Sequence, residues 1–260
     1  MCTVLLAFNI VKGWPLVAAN NRDEFLQRRA LPPRVYRSVC DDGRRWIASC
    51  DLSGGGSWWG YNNRGLMVWL TNRWLGDAYR PASRSRGELV LELLACDTPQ
   101  SARSALADTC AVASFNPFNL IVVSPDEGFF SSNYPQLQFY PLFPGYHFLG
   151  NGLLDACMSV KARSARRLFA DLRRQQQPNA TEDELMLQTL TSFQRGLRTP
   201  FPHDDIPPQG FNVTFDGYGT TASLCLAVAE SGPENFILHY CDANPLYEGY
   251  RDYSRLGRFL

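Results

Sequence analysis

Apolar residues run almost unbroken through T-V-L-L-A-F-N-I-V at positions 3–11, stop at Lys12-Gly13, and resume through W-P-L-V-A-A at 14–19. β-Branched and aliphatic residues without helical spacing favour strands, so this pattern predicts two antiparallel strands. A short strand is expected at 46–49 and a glycine-rich turn at 52–56. Residues 57–61 and 66–71 read as a hairpin around Asn62-Asn63-Arg64-Gly65. Helical spacing begins at 86–95, where Leu89, Val90, Leu93 and Leu94 share a stripe. Pro99, preceded by Thr98, opens another helix through about 110. Strands are expected at 119–124, 128–132 and 147–149. A long basic helix follows at 156–177, with Val160, Leu168, Phe169 and Leu172 on its apolar side and an arginine-rich, solvated face over 161–174. Thr181 and Glu184 form a capping-box pattern at the start of a further helix. Residues 200–209 form a proline-rich loop, and 221–229 with 235–240 a strand pair turning at Gly232-Pro233.

Strand runs at both ends flank helix runs in the middle. That order suggests two stacked sheets covered by helices, not a doubly wound sheet. Neither G-x-G-x-x-G after a strand nor G-x-x-x-x-G-K-[ST] occurs, so nucleotide folds gain no support.

The 260 residues suffice for one large domain or two small ones, and carry 25 basic and 25 acidic side chains for a formal net charge of zero. That balance gives no pull toward nucleic acid or an acidic membrane surface. The eight cysteines include no C-x-x-C pair, and the start of the chain lacks a basic n-region and a cleavage site. The first apolar run is too short to cross a membrane. The expectation is a cytoplasmic protein with reduced thiols, no metal centre and no transmembrane segment.

Three clusters could carry chemistry. Cys2 becomes the first residue if Met1 is removed, and a small second residue permits that removal. Its α-amine, with a reference pKa of about 7.7–8.0, could then accept the thiol proton, the nucleophile-plus-amine arrangement. Position alone favours the plainer reading, a small residue starting a strand. Asn20-Asn21-Arg22-Asp23-Glu24 follows the second strand directly. It reads equally well as a solvated turn with local ion pairs, or as a support for Cys2. In the second case Arg22 lowers the thiol pKa and Asp23 orients the α-ammonium. Gly54-Gly55-Gly56-Ser57-Trp58-Trp59-Gly60 could form a flat ligand wall, although tryptophans packed in the core are the commoner outcome. Asn72 ends the next strand, where its amide could donate to an oxyanion.

These pieces occur in a set order: M-C, A-A-N-N-R-D-E-F, G-G-G-S-W-W-G-Y-N-N-R-G-L, L-T-N-R, S-R-G-E-L, F-N-L, G-Y-H-F-L-G-N-G-L-L-D and G-Y-G-T. The ordered set resembles the NRDE family, also called the Transport and Golgi organisation protein 2 family, over nearly the whole chain. The resemblance implies an α+β fold. It would be a four-layer αββα sandwich of two antiparallel sheets covered by helices, forming a single domain over 1–260. That is an N-terminal-nucleophile hydrolase-like fold similar to the conjugated bile acid and penicillin acylases. On that analogy Cys2 is nucleophile and base, with Arg22 and Asp23 in support. Asn72 and Asn151 match positions that hold the oxyanion or the α-amine. Asn21, Glu24, Trp58, Trp59, Arg73 and His147 are the expected ligand contacts. Two departures stand out. The glycine-rich strand reads G-G-S-W-W-G where the family tends to G-G-T-W-L-G, so Trp59 adds bulk. Thr221 follows G-Y-G-T where the family tends to have arginine.

The resemblance supports two functions on one pocket. The first is binding and handing on a small hydrophobic or amphiphilic ligand, either haem or an acyl-CoA or lipid. It needs no cofactor; haem would be cargo, with His147 as its candidate ligand. The second is amide hydrolysis through an acyl-enzyme on Cys2.

Overall fold

The computed structural model describes residues 2–40, 42–75, 82–175, 179–201 and 210–260. In chain order the elements begin with β1 (Cys2–Phe8), β2 (Leu16–Phe25), β3 (Ala30–Arg37), β4 (Arg45–Asp51), β5 (Trp59–Asn62) and β6 (Met67–Asn72). Next come α1 (Arg86–Leu93), α2 (Pro99–Val112), β7 (Phe118–Val123), β8 (Gly128–Ser132), β9 (Gln138–Pro141) and β10 (Gly145–Leu149). The chain continues with α3 (Val160–Gln175), α4 (Glu182–Arg198), β11 (Thr214–Phe215), β12 (Tyr218–Val228), β13 (Phe236–Cys241) and β14 (Arg251–Asp252).

The strands form two antiparallel seven-stranded sheets. One has the order β10-β1-β2-β12-β13-β14, with β11 paired to β12. The other is a meander, β3 to β9 in chain order. Two compact units result. The first comprises Met1–Gln27, Pro144–Ser231 and Asn235–Ser254. The second comprises Arg28–Phe143, Gly232–Glu234 and Arg255–Leu260.

In the first unit, α3 and α4 cover one face of the sheet. Leu5, Ala7, Val17, Ala19, Cys225 and Ala227 project from β1, β2 and β12 toward Ala162, Ala165 and Phe169 of α3 and Met186, Leu190 and Phe193 of α4. The alternate residues Val4, Leu6, Ala18, Leu224 and Leu226 are buried as well. Burial on both faces is why the first strand reads as a continuous apolar run instead of alternating. In the second unit, α1 and α2 pack through Leu89, Val90, Leu93, Ala102 and Leu106 against Val68, Leu70 and Leu120 of the meander. Thr98 and Thr181 cap α2 and α4 as expected, Thr181 accepting from the Glu184 amide and Glu184 accepting from the Thr181 amide.

Several expectations need correction. β2 runs to Phe25, so the polar Asn20–Glu24 segment lies inside a strand and not in a turn after it. β3 is a strand that the sequence does not announce, because Pro32-Pro33 argues against one. It is an edge strand with an irregular register between Leu31 and Arg34, the place where prolines are tolerated. β9, short and partly exposed, forms the opposite edge. The basic helix begins at Val160, not 156. Positions 176 and 177 of that expected helix, and 202–209 of the proline-rich loop with His203, lie outside the described residues.

Candidate functional site

Cys2 is the first residue of β1 and lies opposite Arg22 of β2, with Thr3 opposite Asn21 and Val4 opposite Asn20. β12 flanks β2 on its other side, placing Ala222 opposite Arg22 and Ser223 opposite Asn21. Residues directly opposite share a face, and neighbours along a strand alternate. Leu5, Ala19 and Cys225 face the helices, so Thr3, Asn21 and Asp23 face them too. Cys2, Asn20 and Arg22 occupy the reverse face.

The helix side of this strand end is a buried polar network. Lys161 Nζ lies 2.5 Å from Asp23 Oδ2 and also donates to Thr3 Oγ1 at 2.9 Å. The Thr220 hydroxyl donates to Asp23 Oδ1 at 2.7 Å. Tyr218 donates its hydroxyl proton to the Asp23 carbonyl at 2.8 Å. The Asn21 amide reaches the carbonyls of Leu197 and Phe211. The Lys161 and Asp23 side chains are 9% and 0% exposed. Lys161 is therefore not part of a solvated basic face, and Asn20 to Asp23 are not a solvated turn. A buried ion pair persists only when well hydrogen-bonded, and such pairs are expensive to leave incomplete.

On the reverse face, β12 takes an extra residue at Thr221, where its register against β2 shifts. Bulges re-aim side chains next to sites. Here the Thr221 hydroxyl oxygen accepts from Arg22 Nη1 at 2.8 Å. Thr221, in the place expected for arginine, thus supplies a neutral partner to the guanidinium beside Cys2.

Cys2 is half-buried and unoxidised. Burial pushes its thiol above the ordinary value of 9.0, and the Asp23 charge adds to this, while Arg22 and the Asp23 backbone N–H favour the thiolate. The expectation that Arg22 would lower the thiol pKa is half met, since its influence has the expected sign but burial outweighs it. The strand end that carries Arg22 and Asp23 lies beside the start of β1, while the Asp23 carboxylate itself points to the helix face and Lys161. Tyr218, the tyrosine of the G-Y-G-T motif but not among the expected site residues, stands near both groups. Its hydroxyl is pushed up by burial and then by Asp23 and Cys2. Beyond this polar end the sheet carries an apolar lip. Phe25 and Leu26 are 62% and 56% exposed, Phe215 is 41% exposed, and Phe25 packs edge-on against Tyr218 at 5.4 Å.

The other expected site residues are distributed as follows. Asn151 lies two residues beyond β10, in the bend that follows its last pair with β1, Val4–Leu149. His147 sits opposite Leu6 on the Cys2 face. Four residues of strand separate it from Cys2, about 13 Å at 3.3 Å per residue. Its Nδ1 is 2.8 Å from Asp155 Oδ2, and the structure does not bring it to Cys2. Glu24 accepts from the Phe25 amide. Asn72 and Arg73 belong to the second unit, at the end of β6, with the Arg73 amide bound to Pro117 O. Trp58 and Trp59 also lie in the second unit and are buried, Trp59 donating its indole N–H to Ser49 Oγ at 3.0 Å. They serve packing, not an open wall. Gly56 approaches the backbone of Gly87 at the start of α1, where Ser57 N donates to Gly87 O, so the close glycine contact serves a helix. Among the described residues no group of three or more His, Cys, Asp or Glu could hold a metal ion, and no helix is long and apolar enough to cross a membrane.

Residues 1–242 match the family model described as Transport and Golgi organisation 2. The chain belongs to this family. It is 25% identical over 256 residues to the Transport and Golgi organization 2 homolog of Mus musculus, covering 94% of this chain and 90% of the relative. It is 25% identical over 262 residues to the Transport and Golgi organization protein 2 homolog of Homo sapiens, covering 91% of each. Among solved structures, penicillin V acylase from Agrobacterium tumefaciens superposes with a TM-score of 0.52 at 9% identity, covering all of this chain and 89% of that one. The family therefore has, in this chain, the α+β fold of the N-terminal-nucleophile hydrolases: two antiparallel sheets with helices. The resemblance read from the ordered motifs holds at both levels, family and fold.

Proposed function

We propose that the Cys2 end of the first unit binds a small amphiphile with an anionic or carbonyl head and an apolar tail, an acyl-CoA or related acyl lipid, and hands it on. The observation that carries this reading is the placement of Cys2 and the buried Arg22 on one face of the sheet, at a strand end whose rim carries the exposed Phe25, Leu26 and Phe215, the two phenylalanines on the Asp23 side of it. A buried guanidinium suits a carboxylate, phosphate or carbonyl oxygen, and the lip suits a chain. The raised thiol pKa fits binding better than attack, because a neutral thiol is a weak nucleophile. Haem is the less favoured cargo, since His147 is engaged by Asp155 and stands apart from Cys2.

The test is titration of the full chain with palmitoyl-CoA and, separately, with haemin. Saturable palmitoyl-CoA binding is expected. Phe25→Asp, which alters an exposed side chain, should weaken it about tenfold, near 1.4 kcal/mol, at unchanged melting temperature. Equal binding by wild type and Phe25→Asp, or binding of haemin with a Soret shift and of no acyl ligand, overturns the proposal.

A second reading, amide hydrolysis, is favoured by the Asp23 backbone N–H that faces the Cys2 sulfur, on a fold shared with a protein named as an acylase. Removal of Met1 would free the α-amine of Cys2. That amine takes the thiol proton, and the thiolate adds to the amide carbonyl. The tetrahedral oxyanion then collapses, and the leaving amine departs with the proton from the ammonium. Water hydrolyses the resulting thioester to the carboxylic acid and regenerates the thiol. Asn151, in the bend after β10, is the candidate donor to the oxyanion or holder of the amine. Intact mass decides whether Met1 has left. Processed wild type should release amine from a small acyl amide and Cys2→Ala should not; equal turnover sinks the reading.

A further inference from the structure

α3 carries Ala162, Arg166, Phe169 and Arg173 at spacings of four, three and four residues, a single stripe along the helix. The two alanines Ala162 and Ala165 leave room that larger side chains would fill. Opposite them, Tyr146 and Phe148 project from β10. Between the two elements lies a cavity of about 220 Å³. Tyr146 and Phe169 stack in its wall at 5.1 Å with planes 14° apart. The Arg173 guanidinium lies over the Tyr146 ring at 5.4 Å, and Arg166 also lines the opening.

The charge at this cavity is lopsided. Among the described residues neither Arg166 nor Arg173 bonds a carboxylate. The one acidic residue in the wall, Asp155, has its oxygens committed: Oδ2 to His147 Nδ1 and Oδ1 to the Phe148 amide. The result is an aromatic slot with two cations at its mouth. From Ala7, which pairs with Tyr146, to Cys2 is five residues of β1, about 17 Å. Tyr146 and Phe148 also face the helices, whereas Cys2 occupies the reverse face. This cavity is therefore separate from the Cys2 site, and a ligand bound in it is independent of the function proposed there.

We propose that this cavity is a second ligand site, for a small aryl or short branched-alkyl monocarboxylate. Its volume is below the roughly 300–1,000 Å³ typical of drug-sized ligands, which admits one ring or a short chain and excludes haem or a coenzyme A thioester. The ring packs over the two alanines, against the edges of the stacked Tyr146–Phe169 pair, and the carboxylate meets the forks of Arg166 and Arg173.

Phenylacetate and its neutral isostere 2-phenylacetamide are the probes, followed by amide chemical shifts on the full chain. Saturable shifts on α3 and β10 are expected with phenylacetate, and binding at least about tenfold weaker with the amide. The double variant Arg166→Gln/Arg173→Gln alters side chains at the cavity mouth and should lose phenylacetate affinity by a similar factor. Ala165→Leu should abolish binding by filling the slot. Equal binding of acid and amide overturns the proposal, as does undiminished binding in the arginine double variant. So do shifts confined to the start of β1, or no binding at millimolar phenylacetate.

Discussion

Lys161→Met is the sharpest test of the polar network under Cys2. Methionine keeps most of the lysine stem, so the packing of α3 on the sheet changes little. The charge is what is lost. Lys161 Nζ bonds both Asp23 and Thr3, and the two charged side chains are 9% and 0% exposed. Without Lys161, the Asp23 carboxylate retains the Thr220 hydroxyl as a donor but loses its counter-charge. Removing one member of a buried pair costs about 3–5 kcal/mol, mainly the penalty of a buried charge left uncompensated. For a chain of this size each kcal/mol moves the melting temperature by about 2–4 °C, so a fall of roughly 6–20 °C is expected. Urea unfolding followed by far-UV circular dichroism gives the free energy directly. The double variant Asp23→Asn/Lys161→Met should recover a large part of the loss, because the two changes act on one interaction and are not additive. A cost below about 1 kcal/mol for Lys161→Met is the value expected of a solvated pair. That result would refute the claim that this ion pair fixes the strand end beneath Cys2.

Three further outcomes are expected. Stability should fall as pH rises from about 9: burial holds the Cys110 thiol up at about 11 and the Cys225 thiol higher still, so above the ordinary value of 9.0 the unfolded chain releases protons that the fold retains. Cys225→Ala should flatten this alkaline slope, and an unchanged slope in pH-dependent urea midpoints would count against it. Iodoacetamide labelling resolved by mass spectrometry should be slower at Cys2 than at exposed Cys40 and Cys157 near pH 8, since burial keeps the Cys2 thiol protonated; faster labelling of Cys2 in the chain that retains Met1 contradicts the burial argument. Gly56→Ala should cost about 1–3 kcal/mol, because an added Cβ would lie 2.3 Å from the Gly87 backbone carbon; an unmoved urea midpoint would mean that the two backbones separate freely.

The parts of the fold that are legible in the sequence are those where local signals and burial agree. Thr98-Pro99 and Thr181–Glu184 mark helix starts because a capping side chain acts within its own turn. The Asn62–Gly65 turn and the two flanking strands are legible for the same reason. β3 is not, because Pro32-Pro33 is judged by propensity, and only the sheet reveals an edge. The Asn20–Asp23 segment misleads for a different reason. Four polar residues look solvated until their partners are known, and those partners come from distant parts of the chain: Lys161, Leu197, Phe211, Thr220 and Thr221. Lys161 itself sits among arginines, but it stands four, eight and eleven residues before Ala165, Phe169 and Leu172, on the apolar side of the helix, so its spacing marks it as the cation that turns inward. It is also one of only two lysines in the chain, with Lys12.

The alternation of β2 divides the charged work at this strand end between two faces. Asp23 turns to the helices and is held by Lys161 and Thr220, with Thr3 sharing the lysine, so its charge is matched and fixed. Arg22, one residue earlier, turns to the Cys2 face, and the bulge at Thr221 gives it a hydroxyl partner. An arginine at 221 would put a second cation beside Arg22 on that face, which favours a thiolate at Cys2. With threonine there, burial of the Cys2 thiol outweighs the opposing influences of the N-terminal ammonium and Arg22, and its pKa is raised above the ordinary value of 9.0. Acylation of Cys2 would need a further base, and the α-amine freed by loss of Met1 is the one the sequence offers.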